Sequence, residues 1–494
     1  MATDIRSLYF GEVSAEVEVA KDPERFMATY LDNWQIRDKL LNNEFFLILG
    51  PKGSGKTAVG QYCRLLLEEQ YGQPKVMSVS RDMEQLAPNI SPLSALTSKL
   101  VSQEAQGVTS TAWRLYIGLQ FASLAIADQG GPLASTPEFR QLWEELQRAG
   151  LVSEHTVTAD FPTVLRRVRE GKMSFSAKLF GGEALRRDTD EISVTQLGDT
   201  LLDTLFAVRS DTHYLLTIDG LDRVIGSNRA YWLSVSSLLM AASDIHMRIR
   251  ATQSHVHLMV MCRTDVFRRV DFADADKIAG DSALFVDWAN QQTRIEDSYL
   301  WDYLAKKAGI TVDDLMGMLP EHVVVGGSRG SSSRRLEGVP YFFSSTRCTP
   351  REMTMLMRQV QAATPARQAV TGERLRRAVD NFASQDLLAI LMAESSGILS
   401  PASRDALPAV ISGLPSASCV EFSDLRESAH AAGLDGESAA KELAEFLFLA
   451  GVLGNLNPAR GYVQFYYRRD TYTFNVRGPW SLHRGLMYAF NVPW

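Results

Sequence analysis

The hydrophobic pattern along the chain predicts a parallel sheet in its first two thirds. Short apolar runs of strand length recur there, and helical periodicity of three to four residues separates them. The predicted strands are Phe45–Leu49, Lys75–Ser80, Tyr214–Asp219, His257–Cys262 and Ala283–Val286. Because strands alternate with helices such as Ala58–Gln70, the pattern is typical of an α/β fold with a parallel sheet.

Helices are also predicted around this sheet. Asp22–Leu41 is predicted to be one helix, since Pro23 suits a first turn and apolar residues recur on one face. Residues 84–200 are mostly helical in pattern, for example over Thr111–Ile126 and Pro137–Arg148. That segment is longer than one crossover needs, so we expect an insertion, with a small hairpin near Lys172–Lys178.

A second group of elements follows the last strand. Helices are predicted over Glu296–Gly309 and from Pro350 to about Ala362. Between them, Val323–Gly338 is rich in glycine, serine and arginine, which predicts a mobile loop. The loop is either a basic arm that touches phosphates or an ordinary solvated loop, and the sequence leaves both open.

The pattern changes again after residue 376. Three helices are predicted, over Arg374–Glu394, Phe422–Ala432 and Glu437–Ala450, and two alternating strands follow at Tyr462–Arg468 and Thr471–Arg477. Three helices followed by a β-hairpin are typical of a winged-helix domain.

Composition limits the class of protein. The 494 residues are too many for one core and predict several domains. The 45% apolar and 22% charged content is that of a soluble globular protein. A formal net charge of −7 argues against a generally basic nucleic-acid binder. Four scattered cysteines predict no disulfide framework, and we expect a cytoplasmic protein without a signal peptide or membrane span.

The strongest chemical signal follows the first strand. It is a complete G-x-x-x-x-G-K-[ST] motif, and the residues expected to bind the cofactor are Gly50, Pro51, Lys52, Gly53, Ser54, Gly55, Lys56, Thr57 and Ala58. Glycines let backbone N–H groups turn onto phosphate oxygens at a helix N-terminus. Lys56 is expected to reach the β- and γ-phosphates of ATP, and Thr57 to bind Mg²⁺. A chance glycine-rich turn is the alternative, and the flanking strand and helix argue against it.

A second motif lies at the end of the third predicted strand. Asp219 ends the apolar run and is expected to hold Mg²⁺ together with Thr57. Gly220 follows where a second acid is usual, so Asp222 is the candidate to activate the attacking water. A turn aspartate remains the alternative for Asp219, and a helix N-cap the alternative for Asp222.

These motifs resemble those of AAA+ and STAND-type ATPases, and most closely the ATPases related to origin-recognition initiator proteins. The residues that carry the resemblance lie between positions 8 and 365, and a winged helix follows them, as it does in initiators. They are Leu8–Glu16, Ile218–Asp222, Cys262–Phe267, Phe285–Trp288 and Thr349–Met353.

The resemblance implies a fold, a domain organisation and a cellular setting. The fold is α/β: an AAA+-like P-loop NTPase sheet, a helical lid and a C-terminal winged helix. Residues 1–288 would form the ATPase core, 289–370 the lid and 371–494 the winged helix. Many relatives occupy bacterial defence or mobile loci, so antiviral defence is one expected setting.

The resemblance also implies roles for arginines. Arg351 would contact the γ-phosphate as a sensor-2 arginine, with a surface salt bridge as its alternative. Arg263 stands at the sensor-1 position in place of a plain asparagine, so we expect unusual control of hydrolysis. Arg268 or Arg269 would act on the nucleotide of a neighbouring subunit in a homo-oligomer.

The winged helix has two candidate partners. Its third helix carries Glu437, Glu442 and Glu445 against Lys441, a poor set for a DNA groove. The expected wing carries tyrosines and four arginines, which suit DNA backbone and minor-groove contacts: Arg460, Arg468, Arg469 and Arg477. DNA and an effector protein both remain open as partners.

The expected function is that of a switch ATPase. It would bind ATP, hydrolyse it slowly and couple the nucleotide state to DNA or to an effector protein. The alternative is a nucleotide-stabilised scaffold that assembles with effectors and hardly turns over. A processive helicase or nuclease is disfavoured, since no clustered carboxylates or helicase-like motifs are present.

Overall fold

The computed structural model of the chain describes most of its residues. These are residues 4–82, 103–154, 156–170, 173–174, 191–192, 194–221, 229–270, 274–289, 294–325, 334–396, 398–469, 472–490 and 492–493.

The described residues form strands that we number in chain order. They are β1 (Leu47–Gly50), β2 (Val76–Asp82), β3 (Met173–Ser174), β4 (Glu191–Ile192), β5 (His213–Asp219), β6 (Val256–Arg263), β7 (Ala283–Phe285), β8 (His322–Val325), β9 (Arg334–Glu337), β10 (Leu453–Asn457), β11 (Tyr462–Gln464) and β12 (Trp480–Leu482).

The α-helices are numbered in the same way. They are α1 (Ala15–Lys21), α2 (Pro23–Thr29), α3 (Ile36–Leu41), α4 (Lys56–Tyr71), α5 (Gln103–Ala127), α6 (Pro132–Ser135), α7 (Pro137–Arg148), α8 (Phe161–Glu170), α9 (Val194–Ala207), α10 (Arg229–Thr252), α11 (Thr264–Arg269), α12 (Ala275–Ser282), α13 (Tyr299–Ala308), α14 (Val312–Gly317), α15 (Gly338–Phe343), α16 (Pro350–Ala363), α17 (Gly372–Asn381), α18 (Leu388–Ser395), α19 (Pro401–Ser412), α20 (Phe422–Ala431), α21 (Glu437–Leu449) and α22 (Arg484–Phe490).

The chain divides into two compact units. The first, called here the sheet unit, comprises Asp32–Gly50 and Val59–Phe285. The second, called here the C-terminal unit, comprises Met1–Leu31, Pro51–Ala58 and Val286–Trp494. The short segment that follows β1 therefore groups by its contacts with the later part of the chain.

The sheet unit is built on a five-stranded parallel sheet. The strand order is β2-β5-β6-β1-β7, and every neighbouring pair is parallel. The predicted α/β fold with a parallel sheet is thus confirmed. Each residue of β6 is buried, as expected of a strand covered on both faces.

The strand order indicates which edge of the sheet is suited to bind a ligand. From β1 the chain crosses to β2 on one side, and from β6 it crosses past β1 to β7 on the other. The connections therefore reverse beside β1, and ligands of open α/β sheets bind outside the carboxyl ends of the strands at such a point.

Helices cover this sheet closely. In α4, Gly60 lies close against β6, because a Cβ there would lie 2.2 Å from Cε of Met261, which would have to shift. Between β2 and β5 the described residues form α5 to α9. There Trp113 stacks on Phe161, with ring centroids 3.7 Å apart, and donates its indole N–H to the Ser234 carbonyl at 3.1 Å.

The C-terminal unit ends in a winged-helix arrangement. Helices α19, α20 and α21 precede a three-stranded antiparallel sheet of order β11-β10-β12. A bridge between Val420 and Trp480 adds the short strand that precedes the second helix in this fold. The predicted helices over Phe422–Ala432 and Glu437–Ala450 are confirmed within a residue.

The N-terminal residues pack on the same unit. Thr354 of α16 donates its hydroxyl to the Phe10 carbonyl at 3.1 Å, and Gln361 donates to the carbonyls of Ile5 and Leu8 at 2.8 Å each. Lys307 of α13 and Glu18 of α1 form a buried ion pair of 2.6 Å. Residues 4–29 therefore brace two helices of the C-terminal unit.

Two predicted elements are wrong. The single helix over Asp22–Leu41 is broken, because the Asp32 carboxylate accepts hydrogen bonds from the N–H groups of Trp34, Ile36 and Arg37 at 3.2, 2.9 and 3.3 Å. These bonds satisfy the start of α3 and prevent α2 from continuing.

The predicted wing hairpin is also wrong, because the described residues of its second predicted strand do not pair in the sheet. Asn455 of β10 donates to the Thr473 carbonyl at 2.9 Å and accepts from the Asn475 N–H at 3.0 Å. The Asn455 side chain thus bonds to backbone groups of the segment predicted as the strand Thr471–Arg477, where a partner strand was expected. The third strand of the sheet is β12. The alternating aromatic pattern reflects packing, since Phe474 stacks on Trp480 with centroids 5.8 Å apart.

The predicted mobile loop has ordered ends. β8 and β9 pair antiparallel from His322↔Glu337 to Val325↔Arg334, so Val323–Gly338 is partly a β-ribbon. Its residues 326–333 lie outside the described part. The hairpin expected near Lys172–Lys178 is described only at β3, which pairs with β4.

Candidate functional site

The segment between β1 and α4 has the geometry that a phosphate loop needs. Gly53 and Gly55 have φ of 82° and 94°, a left-handed backbone that side chains with a Cβ adopt rarely. The chain leaves β1 at Gly50, and α4 begins at Lys56. Backbone N–H groups at the start of α4 and the helix dipole therefore face the loop.

Other residues of the C-terminal unit hold this loop. Trp288 donates its indole N–H to the Ser54 carbonyl at 2.8 Å. A Cβ on Gly53 would lie 3.3 Å from Thr349 Oγ1 and 3.6 Å from Cβ of Arg351. The start of α16 therefore lies directly against the loop.

Two polar side chains of the loop differ in their hydrogen bonds. Lys56 donates from Nζ to the Pro51 carbonyl at 3.0 Å, so its ammonium group lies over its own loop. The Ser54 hydroxyl is buried and has no hydrogen-bond partner among the described residues.

Asp219 lies at the carboxyl end of β5, in the sheet unit. Its Oδ1 accepts from the Gly220 N–H at 2.7 Å, which fixes the carboxylate at the strand end. β5 and β1 are separated by β6 alone. Gly50, where the loop departs, and Asp219 therefore end strands at the same edge of the sheet, while Asp222 lies outside the described residues.

The Arg263 side chain, at the carboxyl end of β6, is held by Asp265. Arg263 pairs in register with Gly50, and its guanidinium donates twice to the Asp265 carboxylate, at 2.8 Å each. A buried bidentate pair of this kind is strong. Arg263 would have to leave Asp265 before it could contact a phosphate.

The other arginines named from the sequence are placed differently. Arg351 is half-buried in the first turn of α16, and the structure describes no hydrogen bond or ion pair of its guanidinium within the described residues. Arg268 and Arg269 are exposed in the last turn of α11. The structure thus brings Arg351 to the loop.

The four arginines expected on the wing lie on the connection from β10 to β12, and all are exposed: Arg460, Arg468, Arg469 and Arg477. Of the tyrosines, Tyr466 packs on Phe448 and Tyr467 on His483, with centroids 5.7 Å apart in both pairs. Tyr462 is exposed, and Arg469 lies 5.8 Å from the ring centroid of Tyr472.

The charged side chains of the third helix bond within the fold. Glu442 accepts from the Ser400 N–H at 3.2 Å and the Ser403 hydroxyl at 2.8 Å, at the start of α19. Lys441 pairs with Glu437 at 2.6 Å. This helix is therefore a poor surface for a polyanionic partner.

Some site residues were not predicted from the sequence. The sequence analysis named Trp288 only within the motif Phe285–Trp288, and nothing in the sequence indicated that its indole bonds to Ser54. Thr349 was named only within a motif. The signal for both is spatial, since 234 residues separate Trp288 from its partner.

Comparisons with known proteins give remote structural likeness only. No family model matches the chain, and no curated protein matches it. The Orc1 protein of Aeropyrum pernix in complex with DNA is similar in structure with a TM-score of 0.39 and 12% identity, over 96% of this chain and 94% of that one. Cdc6p from Pyrobaculum aerophilum is similar with a TM-score of 0.28 and 12% identity, over 90% of this chain and 93% of that one. At such low scores and identity, the likeness supports no statement about function.

Among the described residues, no helix has the length and apolar content that crossing a membrane requires. Within the same residues, no group of three or more His, Cys, Asp or Glu side chains is arranged to hold a metal ion.

Proposed function

We propose that the chain binds ATP with Mg²⁺ at the phosphate loop, hydrolyses it slowly and acts as a switch on a partner. One observation carries the proposal: a loop with two left-handed glycines runs directly into α4, with Lys56 and Thr57 in its first turn. Such a loop is a ready site for a polyphosphate.

The donor atoms suit Mg²⁺. The Thr57 hydroxyl and the Asp219 carboxylate offer oxygen, the ligand atom that this ion prefers, and nucleotide phosphates usually supply others. Bound there, the ion would neutralise charge on the β- and γ-phosphates. Asp222 would activate the attacking water, and Arg351, at the start of α16 beside Gly53, would contact the γ-phosphate.

The switch is supported by the grouping of the phosphate loop. The loop, α16 and the winged helix belong to one unit. A γ-phosphate contacted by Arg351 would therefore act on helices that lead to the winged helix. The exposed wing arginines suit a DNA backbone, and an effector protein is the other partner class. The homo-oligomer and the antiviral setting stay predictions from the sequence.

A second candidate function is a scaffold that binds ATP and hardly hydrolyses it. It is favoured by the Arg263–Asp265 pair, which withholds an arginine from the site, and by Gly220 in place of a second acid. Both features lower the expected rate of turnover.

Phosphate release with and without duplex DNA separates these functions. We expect slow turnover by the wild type that DNA changes, and its loss in Asp222→Asn with ATP still bound, because a base is lost. Asp219→Asn should weaken the Mg²⁺-dependent binding itself. Tight ATP binding without turnover would favour the scaffold, and no binding of any nucleotide would overturn both.

A further inference from the structure

A buried charge cluster lies four residues before Arg351. Arg347 donates from its backbone N–H and from Nε to the two carboxylate oxygens of Glu352, at 2.6 and 2.7 Å. Its Nη1 donates to Glu394 at 2.8 Å and to the Ala450 carbonyl at 2.7 Å. We call Arg347, Glu352 and Glu394 the Arg347 cluster.

The cluster is charged and tightly held. Burial alone would lower the pKa of Arg347, but the carboxylates of Glu352 and Glu394 outweigh it, and the pKa lies above its ordinary value. Losing one partner would leave a buried charge unpaired, which is costly. The guanidinium therefore fixes the positions of the elements that bond to it.

Those elements belong to three parts of the C-terminal unit. Glu352 lies in the first turn of α16, Glu394 in the last turn of α18, and Ala450 caps α21, the third helix of the winged helix. His483, just after β12, adds a contact of 3.2 Å between its Nε2 and the Thr346 carbonyl. One side chain thus ties the start of α16 to the winged helix.

The path from the cluster to the phosphate loop is two residues long. Cys348 has φ of 55°, a strained value for a residue with a Cβ, and its surroundings must hold it there. Thr349 then caps α16, accepting from the Glu352 N–H at 3.3 Å, and its Oγ1 is the atom nearest to a Cβ built on Gly53. Moving Arg347 would move Thr349 and Arg351.

We propose that Arg347 is a positioning residue that holds Arg351 at the phosphate loop, and that Glu394 and Ala450 make this position depend on the winged helix. The inference rests on the proposed ATP site. Preorganising Arg351 removes an ordering cost that ATP binding would otherwise bear. ADP lacks the γ-phosphate and should gain little from it.

The test is the ratio of ATPγS to ADP affinity, measured by calorimetry on the full chain. Glu394→Gln keeps the shape and one acceptor for Arg347 but removes a charge. We expect about tenfold weaker ATPγS binding with ADP changed less than about twofold. Arg351→Ala should lower the ratio of ATPγS to ADP affinity by a similar factor. Adding Glu394→Gln to Arg351→Ala should lower this ratio no further, because both substitutions act through one contact.

A matched control separates positioning from stability. Glu18 and Lys307 form another buried ion pair in the same unit, with the Glu18 side chain 6% exposed against 5% for Glu394. Glu18→Gln should lower the thermal midpoint to a similar extent and leave the ratio unchanged. Arg347→Lys keeps the charge but loses the planar guanidinium that bonds to several acceptors at once. It provides a second test if Glu394→Gln folds poorly.

Three results would overturn the inference alone: a wild-type ratio in both cluster variants, an equal fall of the ratio in Glu18→Gln, or additive effects of Glu394→Gln and Arg351→Ala. Wild-type protein that binds neither nucleotide would overturn the proposed function as well. The two failures are therefore distinguishable.

Discussion

Two histidines and an asparagine form a hydrogen-bonded chain at the amino end of the sheet. His257 Nδ1 lies 2.9 Å from Asn43 Oδ1, and His257 Nε2 lies 3.0 Å from His213 Nδ1. Neutral rings satisfy the chain, each donating from Nδ1. A proton added to His257 would point at the His213 N–H, and burial with its neighbours His213 and His255 lowers the pKa of His257 to about 3.

The free energy of unfolding should therefore fall in mild acid. The unfolded chain protonates His257 near its ordinary pKa of about 6.5, whereas the folded chain does not until about 3. The stability due to the neutral ring is present above pH 6.5 and is lost as pH falls. At pH 5 the loss is about 2 kcal/mol for this group.

Urea unfolding of the full chain at pH 7 and pH 5 measures this loss. His257→Gln should reduce the difference between the two pH values. The exposed His430 serves as the control, and His430→Gln should leave the difference as it is in the wild type. An unchanged pH dependence in His257→Gln would contradict the assignment.

At the residue scale, the sequence predicted the site residues whose role follows from their immediate neighbours in the chain. The spacing within one short segment was enough to predict the phosphate loop, which contains Gly53, Gly55, Lys56 and Thr57. Asp219 was predicted because it ends a buried apolar run. Arg347 was not, since its partners Glu394 and Ala450 lie 47 and 103 residues further along.

At the element scale, the wing suits nucleic acid better than the third helix of the winged helix does. The exposed arginines lie on the β10–β12 connection, whereas Lys441 on α21 is already paired with Glu437. A backbone-contacting surface binds with little sequence preference and strong salt dependence, because neutralised phosphates release counterions.

Replacing Arg468 and Arg469 by alanine should weaken binding to every duplex tested. The slope of log affinity against log salt should flatten by roughly one unit for each arginine that no longer neutralises a phosphate. Fluorescence anisotropy with ATP and with ADP measures both the affinity and the slope. Lys441→Ala is the matched control and should change little, and wild-type protein that binds no DNA in either state would assign the wing to a protein partner.

Three strands that were predicted correctly share a physical feature. β1, β5 and β6 are continuous apolar runs, and a strand buried on both faces leaves that mark in the sequence. The errors at Asp22–Leu41 and Thr471–Arg477 arose where Asp32 and Asn455 side chains satisfy backbone groups. Periodicity does not record such bonds.

At the scale of the whole molecule, the division into units groups the proposed ATP-binding loop with the later part of the chain. The phosphate loop belongs with α16 and the winged helix by its contacts, although it leaves a strand of the sheet unit. The sequence predicted a boundary near residue 288 but not this grouping, because contacts such as Trp288 to Ser54 appear only in three dimensions.

The central claim is that the loop binds ATP through Lys56. Calorimetric titration of ATP with Mg²⁺ into folded wild type and Lys56→Ala tests it most directly. Lys277→Ala is the control, since that exposed lysine of α12 pairs with Asp274, the N-cap of its own helix. Removing a charge-assisted hydrogen bond to phosphate should cost about 1.5–3 kcal/mol, or roughly 10- to 150-fold in affinity. Lys277→Ala should bind as the wild type does. Equal ATP affinity in wild type and Lys56→Ala would contradict the account.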